Sequence, residues 1–479
     1  MIVVTKRVMV RRRLQILSAV FAVVALAPPA VAQTPSPPAQ TFTLDQAIQY
    51  AIEHYPTVRA ALEQVNVSTA GVSVARSAYL PRLDSLWQSN RGTANNIFGQ
   101  VLPQSVIPSM SGPVLPAASS GSVWGSAVGA LFSWEPVDFG LRQATVSAAE
   151  TAVTRARAGE ALTRLDIQAA VATTFLSVAG AQRTVVALQA DLDRRDLLSR
   201  AVHTLVDNQL RPGAEASRSD AERAAAQTRL IQAQEAVTLG QIALARVLGA
   251  TTAAVIIDAT TLIDHVPNAV IPTGSLTHPL TLMRQADVDA ARTQENVLAR
   301  TDLPRLYLQS SVFARGSGAN PNGELDGSLA GLGLDRTNWA SGVQIVFPNV
   351  FDFTSLRARK AAAAAATRSQ AALFDEAVLS VTSQQQTAAA MLDAARAIAA
   401  NTPLQLAAAQ QTESQARARY QAGLTSIVEV ADAQSLLAQA EVQDQLARID
   451  VWHALLAQSV AQGTLAPFLT LVTSSSGVR

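Results

Sequence analysis

The stretch Tyr420–Gln434, YQAGLTSIVEVADAQ, interrupts two long polar, Ala-rich helical patterns and predicts a helix, a tight turn and a second helix. Gly423 supplies the positive φ that ends the first helix. Ser426 stands where an N-cap is needed, and Glu429 three residues later completes a Ser-x-x-Glu capping box. Glu429 and Asp432 share a helical face, so two carboxylates gather beside one helix N-terminus at the tip of a long hairpin. A helix cap explains Glu429 on its own; Asp432, one turn further in, is either a solvated charge favoured by the helix dipole or part of a site. The tip occurs once more upstream as VDNQLRPGAEASRSDAE, Val206–Glu222, where Leu210 matches Leu424 and Glu215 matches Glu429.

Outward from the first tip, the chain keeps a helical pattern from Gly140 to about Asp207 and again from about Gly213 to Leu248. Leu162, Leu165, Ala169, Ala172, Leu176 and Ala179 recur three and four apart, a coiled-coil seam built partly on Ala. At ~1.5 Å per residue the longer arm is on the order of 100 Å, a length no compact core needs. The second tip has equivalent arms: a helix containing Ala361–Ala366 leads to Gly423, and a return helix reaches about Gln462.

Before each long hairpin lies a pair of strand-like runs, about 83–134 and about 305–347. In the first pair, Trp124, Val128, Ala130, Phe132 and Trp134 alternate with Ser126, Gly129, Leu131 and Ser133; in the second, Trp339, Val343, Ile345 and Phe347 alternate with Ala340, Gly342, Gln344 and Val346. Apolar residues on one face, small or polar ones on the other and aromatic ends (Trp124, Trp134, Trp339, Phe347) fit a membrane-spanning strand with an aromatic girdle, or a half-buried strand of a soluble sandwich. Residues 99–121 are rich in Gly, Pro and Ser and read as an exposed loop.

The halves are copies of one plan. Pro279 corresponds to Pro56 and Asp302-Leu-Pro-Arg-Leu to Tyr79-Leu-Pro-Arg-Leu, both at an offset of 223, while Asp352 corresponds to Asp138 at 214. The expected organisation is a first repeat over 43–248, opened by the capping pair Thr43 and Gln46, a linker over 249–278, a second repeat over 279–462 and a tail over 463–479. Ahead of these lie a signal segment, 1–32, and a Pro-rich extended linker, 33–42. The signal has a basic start, an apolar run from Leu14 to Leu26 and an Ala30-Val31-Ala32 cleavage site.

Composition narrows the function. Removing 1–32 takes five of 37 basic residues and none of 36 acidic ones, so the mature chain carries a net −4 and has no basic face for nucleic acid. With no Cys there is no disulfide framework, thiolate metal site, Cys nucleophile or acylated N-terminal Cys. The five His are scattered without metal-ligand spacing, and no nucleophile elbow or phosphate-binding Gly loop occurs, so neither metal, cofactor nor enzyme is expected. No run of ~18 consecutive apolar residues follows the signal, so no membrane-crossing helix is expected and membrane attachment falls to the strands. Four strands cannot close a barrel, and an open edge is not tolerated in lipid; spanning strands would have to be shared between copies. A shared barrel continuing into packed long helices would be a tunnel.

On the motifs TLDQAIQYAIEHYP with ARSAYLPRL, SWEPVDFG, PNVFDF and RYQAGLTSIVEVADAQ, the chain resembles the TolC family of outer-membrane efflux factors over essentially its whole mature length. The resemblance implies a mainly α protein with a small membrane β-barrel: a homotrimer in outer-membrane lipid, whose 12 shared strands continue into a periplasmic α-barrel. It further implies a periplasmic adaptor (membrane fusion) protein at the tips and an inner-membrane pump beyond it, the chain itself being the passive exit duct. By the same resemblance Glu429 and Asp432 form the periplasmic constriction, with Glu215 as the first repeat's counterpart. Tyr420 and Gly423 match the family's tip residues; with Leu424, Thr425, Leu210, Arg211 and Gly213 they make the docking tip. Thr425 stands where some relatives carry an Arg, and Arg211 occupies the matching place in the first repeat. Alternatives are a type I protein secretion duct and a periplasmic coiled-coil scaffold without a pore. The mature chain is expected to begin at Gln33 without a lipid; an intact mass that retains residues 1–32, or that carries an acyl chain, would contradict this.

Overall fold

A computed structural model describes residues 41–93, 104–107, 120–250, 255–259, 262, 278–320, 324–348 and 352–476. The signal segment, the Pro-rich residues up to 40, most of the 99–121 loop and most of the 249–278 linker lie outside the described residues. In chain order the elements are β1 (Thr41–Phe42), α1 (Leu44–His54), α2 (Pro56–Ser77), β2 (Arg82–Thr93), β3 (Ser122–Val137), α3 (Leu141–Asp207), α4 (Gly213–Leu248) and β4 (Ile256–Ile257). After these come α5 (Pro279–Ala299), β5 (Arg305–Ser317), a 3-10 turn (Leu329–Leu332), β6 (Arg336–Val346), α6 (Phe353–Gln421), α7 (Ile427–Ala461) and α8 (Ala466–Ser476).

The capping pair that opens α1 forms as expected. Thr43 Oγ1 accepts from the Gln46 amide at 3.4 Å and Gln46 Oε1 accepts from the Thr43 amide at 3.1 Å. Behind it α1 buries Leu44, Ala47, Ile48 and Ala51 in the main core, with Phe175, Leu176, Leu244, Leu248, Trp452, Leu455 and Phe468. Trp452 donates its indole N–H to the Leu262 carbonyl and meets Phe468 edge to face, centroids 5.9 Å apart. Each such side chain withdrawn from water contributes about 1.5–3 kcal/mol, so this waist anchors both long hairpins.

The helices α3 and α6 run 67 and 69 residues and pack on α4 and α7 respectively, while α3 also touches α7. One window of α3 has a mean hydropathy of 1.3 and is long enough to cross a bilayer, contrary to the sequence expectation, but 44% of that window is buried inside the fold. The seam is stapled by charge as well as by Ala. Arg195, 2% exposed, binds Asp191 of its own helix at 3.0 Å, Glu222 of α4 at 3.0 Å and Ser435 of α7 at 2.9 Å. In α6, Pro403 has no amide to give the helix; beside it, Thr402 donates to the buried Asp444 of α7 at 3.0 Å.

The four long strands form one antiparallel sheet in the order β2-β3-β5-β6. Its register places Leu83, Trp87, Val128, Phe132, Val312, Trp339 and Val343 on one face, where all are exposed. Ser126 shares this face with Trp124 and Val128, a correction to the alternation expected from sequence, and its hydroxyl bonds the Gly331 carbonyl at 3.1 Å. By register Trp124 and Trp134 stand toward opposite ends of β3, while Trp339 falls between them, opposite Val312. Against the other face packs the short segment 104–107, with Val106 and Ile107 clustering on Ala127 and Phe313.

The SWEPVDFG motif turns strand into helix. β3 bulges between Trp134 and Val137, Phe139 and Gly140 adopt positive φ (49° and 90°), and Asp138 caps α3. Its carboxylate accepts from the Gly140 amide (3.1 Å), the Arg142 amide (2.5 Å) and the Arg142 guanidinium (2.9 Å), and Arg142 lies 4.8 Å over the Tyr79 ring. Burial alone would raise the Asp138 pKa, but these donors outweigh it and hold it below 3.8. A depressed carboxylate stabilises fully above its unfolded value and ceases to do so as pH falls through its folded value. Asp138→Asn should therefore destabilise the fold by on the order of 1–3 kcal/mol at pH 7, and by progressively less on acidification below about pH 4. Thermal melts of wild type and variant from pH 7 to 3 check this; an equal gap at every pH would contradict the capping role.

Candidate functional site

The two tips share one backbone solution. At the second, the Leu424 amide donates to Arg419 O at 2.9 Å and the Gly423 amide to Tyr420 O at 3.0 Å, a Schellman closure around Gly423 at φ 74°. At the first, the Leu210 amide donates to Leu205 O and the Gln209 amide to Val206 O, each at 2.8 Å, with Gln209 at φ 58°. Gln209 thus occupies the place of Gly423, a left-handed position held by a residue with a Cβ. Pairing Leu210 with Leu424 in the sequence points to it; its own residue type gives no signal.

The tips are tied together within the protomer. Tyr420, 4% exposed, sits among Val202, Ala216, Ile427 and Val430, and donates its hydroxyl to Glu215 Oε2 at 2.7 Å. Arg211 donates to the Tyr420 carbonyl at 3.0 Å, lies 4.7 Å over the Tyr420 ring and approaches Glu215 at 3.8 Å. Burial and the Glu215 carboxylate push the Tyr420 phenol up to about 12. Of the expected site residues, Tyr420, Arg211 and Glu215 therefore form one latch. Gly213 begins α4, and Leu210 and Leu424 stand exposed at the turns.

The carboxylates of α7 behave differently. Ser426 makes no side-chain cap, so the expected capping box does not form. Glu429 instead takes a hydrogen bond from the Thr425 hydroxyl and a 2.7 Å ion pair from Arg419, which use both of its oxygens. Asp432 is exposed and, among the described residues, no ion pair or hydrogen bond to its side chain is found. Both line a groove with Thr412, Gln415, Arg419 and Leu436, whereas Tyr420 and Arg211 line a separate one against α3. Among the described residues no cluster of ligand side chains could hold a metal ion. The sheet's exposed apolar face includes Trp87 at 75% and Trp339 at 78% exposure; Trp87 stands on β2, outside the alternation that marks β3 and β6 in the sequence.

A family model described as outer membrane efflux protein matches residues 47–250 and 278–459. Among solved structures, CusC is 14% identical, with 88% of this chain and 92% of that one covered at a TM-score of 0.73. The outer membrane protein VceC from Vibrio cholerae is 17% identical (88% and 96% covered, TM-score 0.69), and the MtrE outer membrane channel of Neisseria gonorrhoeae, solved in its open state, is 19% identical (88% and 89%, 0.70). These likenesses are of fold. No curated protein sequence matches.

The latch has a spectroscopic signature. A phenol raised above its ordinary 10.0 contributes stability that is complete below pH 10 and is lost as pH rises through about 12. Glu215→Gln keeps an acceptor but removes the charge, so the Tyr420 phenol should titrate closer to 10 and tip unfolding should begin at lower alkaline pH. Ultraviolet titration of phenolate checks this, and an unchanged high-pH tyrosine would contradict the contact.

Proposed function

The chain belongs to the outer membrane efflux protein family and is an outer-membrane efflux channel; from that premise we propose that three copies share one barrel and one periplasmic tunnel. The observation that carries this is the four-stranded sheet itself, whose outer edges on β2 and β6 have no partner among the described residues and whose exposed face is apolar. Hydrocarbon tolerates neither feature in an isolated protomer. Edge pairing of β2 with β6 of the next copy satisfies both, and three copies bring twelve strands. The same face, bearing Trp124, Trp134, Trp339 and Phe347, meets outer-membrane lipid, and this disfavours a scaffold without a pore.

The helices then continue as a tunnel wall into the periplasm. The tips at Leu210, Arg211 and Gly213 and at Gly423, Leu424 and Thr425 meet a periplasmic adaptor coupled to an inner-membrane pump. The chain conducts passively and performs no chemistry. Glu429 and Asp432 narrow the entrance, three copies of each facing a common axis, where like charges repel and cations are drawn in. Glu215 contributes by holding the latch that sets their position.

Purification from outer membranes should yield a mass in detergent of three chains, and a monomer there would defeat the shared barrel. In planar bilayers the resting channel should prefer cations. Glu429→Gln with Asp432→Asn should lower that preference and weaken block by multivalent cations. Loss of the exposed Arg419 pair in this variant should change stability by less than about 1 kcal/mol. Wild-type selectivity in the double variant would remove these carboxylates from the constriction.

A further inference from the structure

We propose that the inward face of the sheet is a basic collar that favours anions, with Arg315 and Arg336 as the residues that set the preference, so that the cargo suited to this exit is a small organic anion. The proposal rests on the shared-barrel reading. The register divides the charged residues of the strands sharply. Arg91 alone falls on the lipid face, at its rim, with its guanidinium 5.7 Å from the Trp124 ring. Arg82, Asp84, Arg305, Arg315 and Arg336 all fall on the opposite face, with Gln88, Gln309 and Gln344. Among the described residues four guanidinium groups stand on that face with one carboxylate, Asp84, which Arg82 binds at 2.9 Å. Counting Glu135 of the bulge to this face leaves the balance positive.

The second observation is that two of these guanidinium groups stand side by side. Arg315 and Arg336 are direct cross-strand partners on one face, and like charges so placed destabilise a sheet. Arg315 is nevertheless only 7% exposed, stacked 5.2 Å from the Phe313 ring. Phe313 in turn packs on Ile107 of the segment 104–107, which lies on this same face; the Gln104 side chain closes that segment through the Val106 and Ile107 amides. The lumen is thus narrowed beside its guanidinium groups. Rings of Arg select anions in pores, and a narrow low-dielectric passage focuses their field. Guanidinium forks match carboxylate, sulfonate and phosphate oxygens in pairs. The carboxylates of the described outer loop, Glu324, Asp326 and Asp335, lie outside the strands.

The tip carboxylates would mask the collar in the resting channel, so the test removes them first. The full-length protein carrying Glu429→Gln and Asp432→Asn is placed in planar bilayers under a KCl gradient, and its reversal potential should report anion preference. Adding Arg336→Gln, whose side chain is half-buried, should move that potential toward the cation side; Arg315→Lys, which keeps the charge, should not move it. Inorganic triphosphate added on the barrel side should block the first channel and lose most of this effect with Arg336→Gln. Conducting channels whose reversal potential is indifferent to Arg336→Gln overturn the collar and leave the shared barrel standing. Absence of any conductance overturns both.

Discussion

A strand in hydrocarbon has no water to bond its free N–H and C=O groups, and each orphaned group is worth several kcal/mol. The sheet of this chain has two such edges, on β2 and β6, and a face of Trp, Val, Leu and Phe that water does not favour either. Both deficits point the same way. Among the described residues each repeat supplies one hairpin, and the strand-to-helix junctions commit the next segment to helix, so neither deficit is met within the described chain. On the shared-barrel reading proposed above, assembly follows from the backbone of the sheet before any particular interface contact is considered.

Rigidity carries that constraint from the membrane to the tips. Asp138 caps α3 where β3 ends, so the direction of the first long hairpin is tied to the strand that precedes it. The waist around Trp452 fixes the two hairpins against each other, and Arg195 binds α3, α4 and α7 at one point nearer the tips. Such a buried charge contributes less to net stability than its hydrogen bonds suggest, because its desolvation opposes them. What it does specify is register: sliding one helix along another by a turn would keep the Asp191 pair within α3 but part the buried Arg195 from Glu222 and Ser435.

Much of this is legible in the residues. The long arms announce themselves through spacing alone, and the duplicated Leu-Pro-Arg-Leu and the alternating strands place the sheet between them. Where sequence and structure part, a local rule meets a competitor that lies elsewhere in the chain. Ser426 and Glu429 have capping-box spacing, but Thr425 and Arg419 reach the carboxylate and Ser426 makes no side-chain cap. Tyr420, Arg211 and Glu215 each stand out in the tip motifs, yet their meeting joins residues more than 200 positions apart, beyond any periodicity. The bulge between Trp134 and Val137 needs the pairing of β3 with β5 to be seen, and the left-handed Gln209 shows only through its alignment with Gly423, since it lacks the glycine that signals such a turn.

The two tips, identical in hydrogen bonding, differ in what they ask of the chain. Gly423 reaches φ 74° freely, whereas Gln209 at φ 58° carries the steric strain of a Cβ, on the order of 1 kcal/mol, that the surrounding contacts must hold in place. Those contacts are the latch: Arg211, two residues on, is bound to the Tyr420 carbonyl and ring, and Glu215 to the Tyr420 hydroxyl. Anything that separates Tyr420 from α4 therefore removes the support of a turn already under strain, while the Gly423 turn is unaffected. The first tip is the one disposed to yield, and the α7 carboxylates, carried on the second, would keep their local geometry while it does.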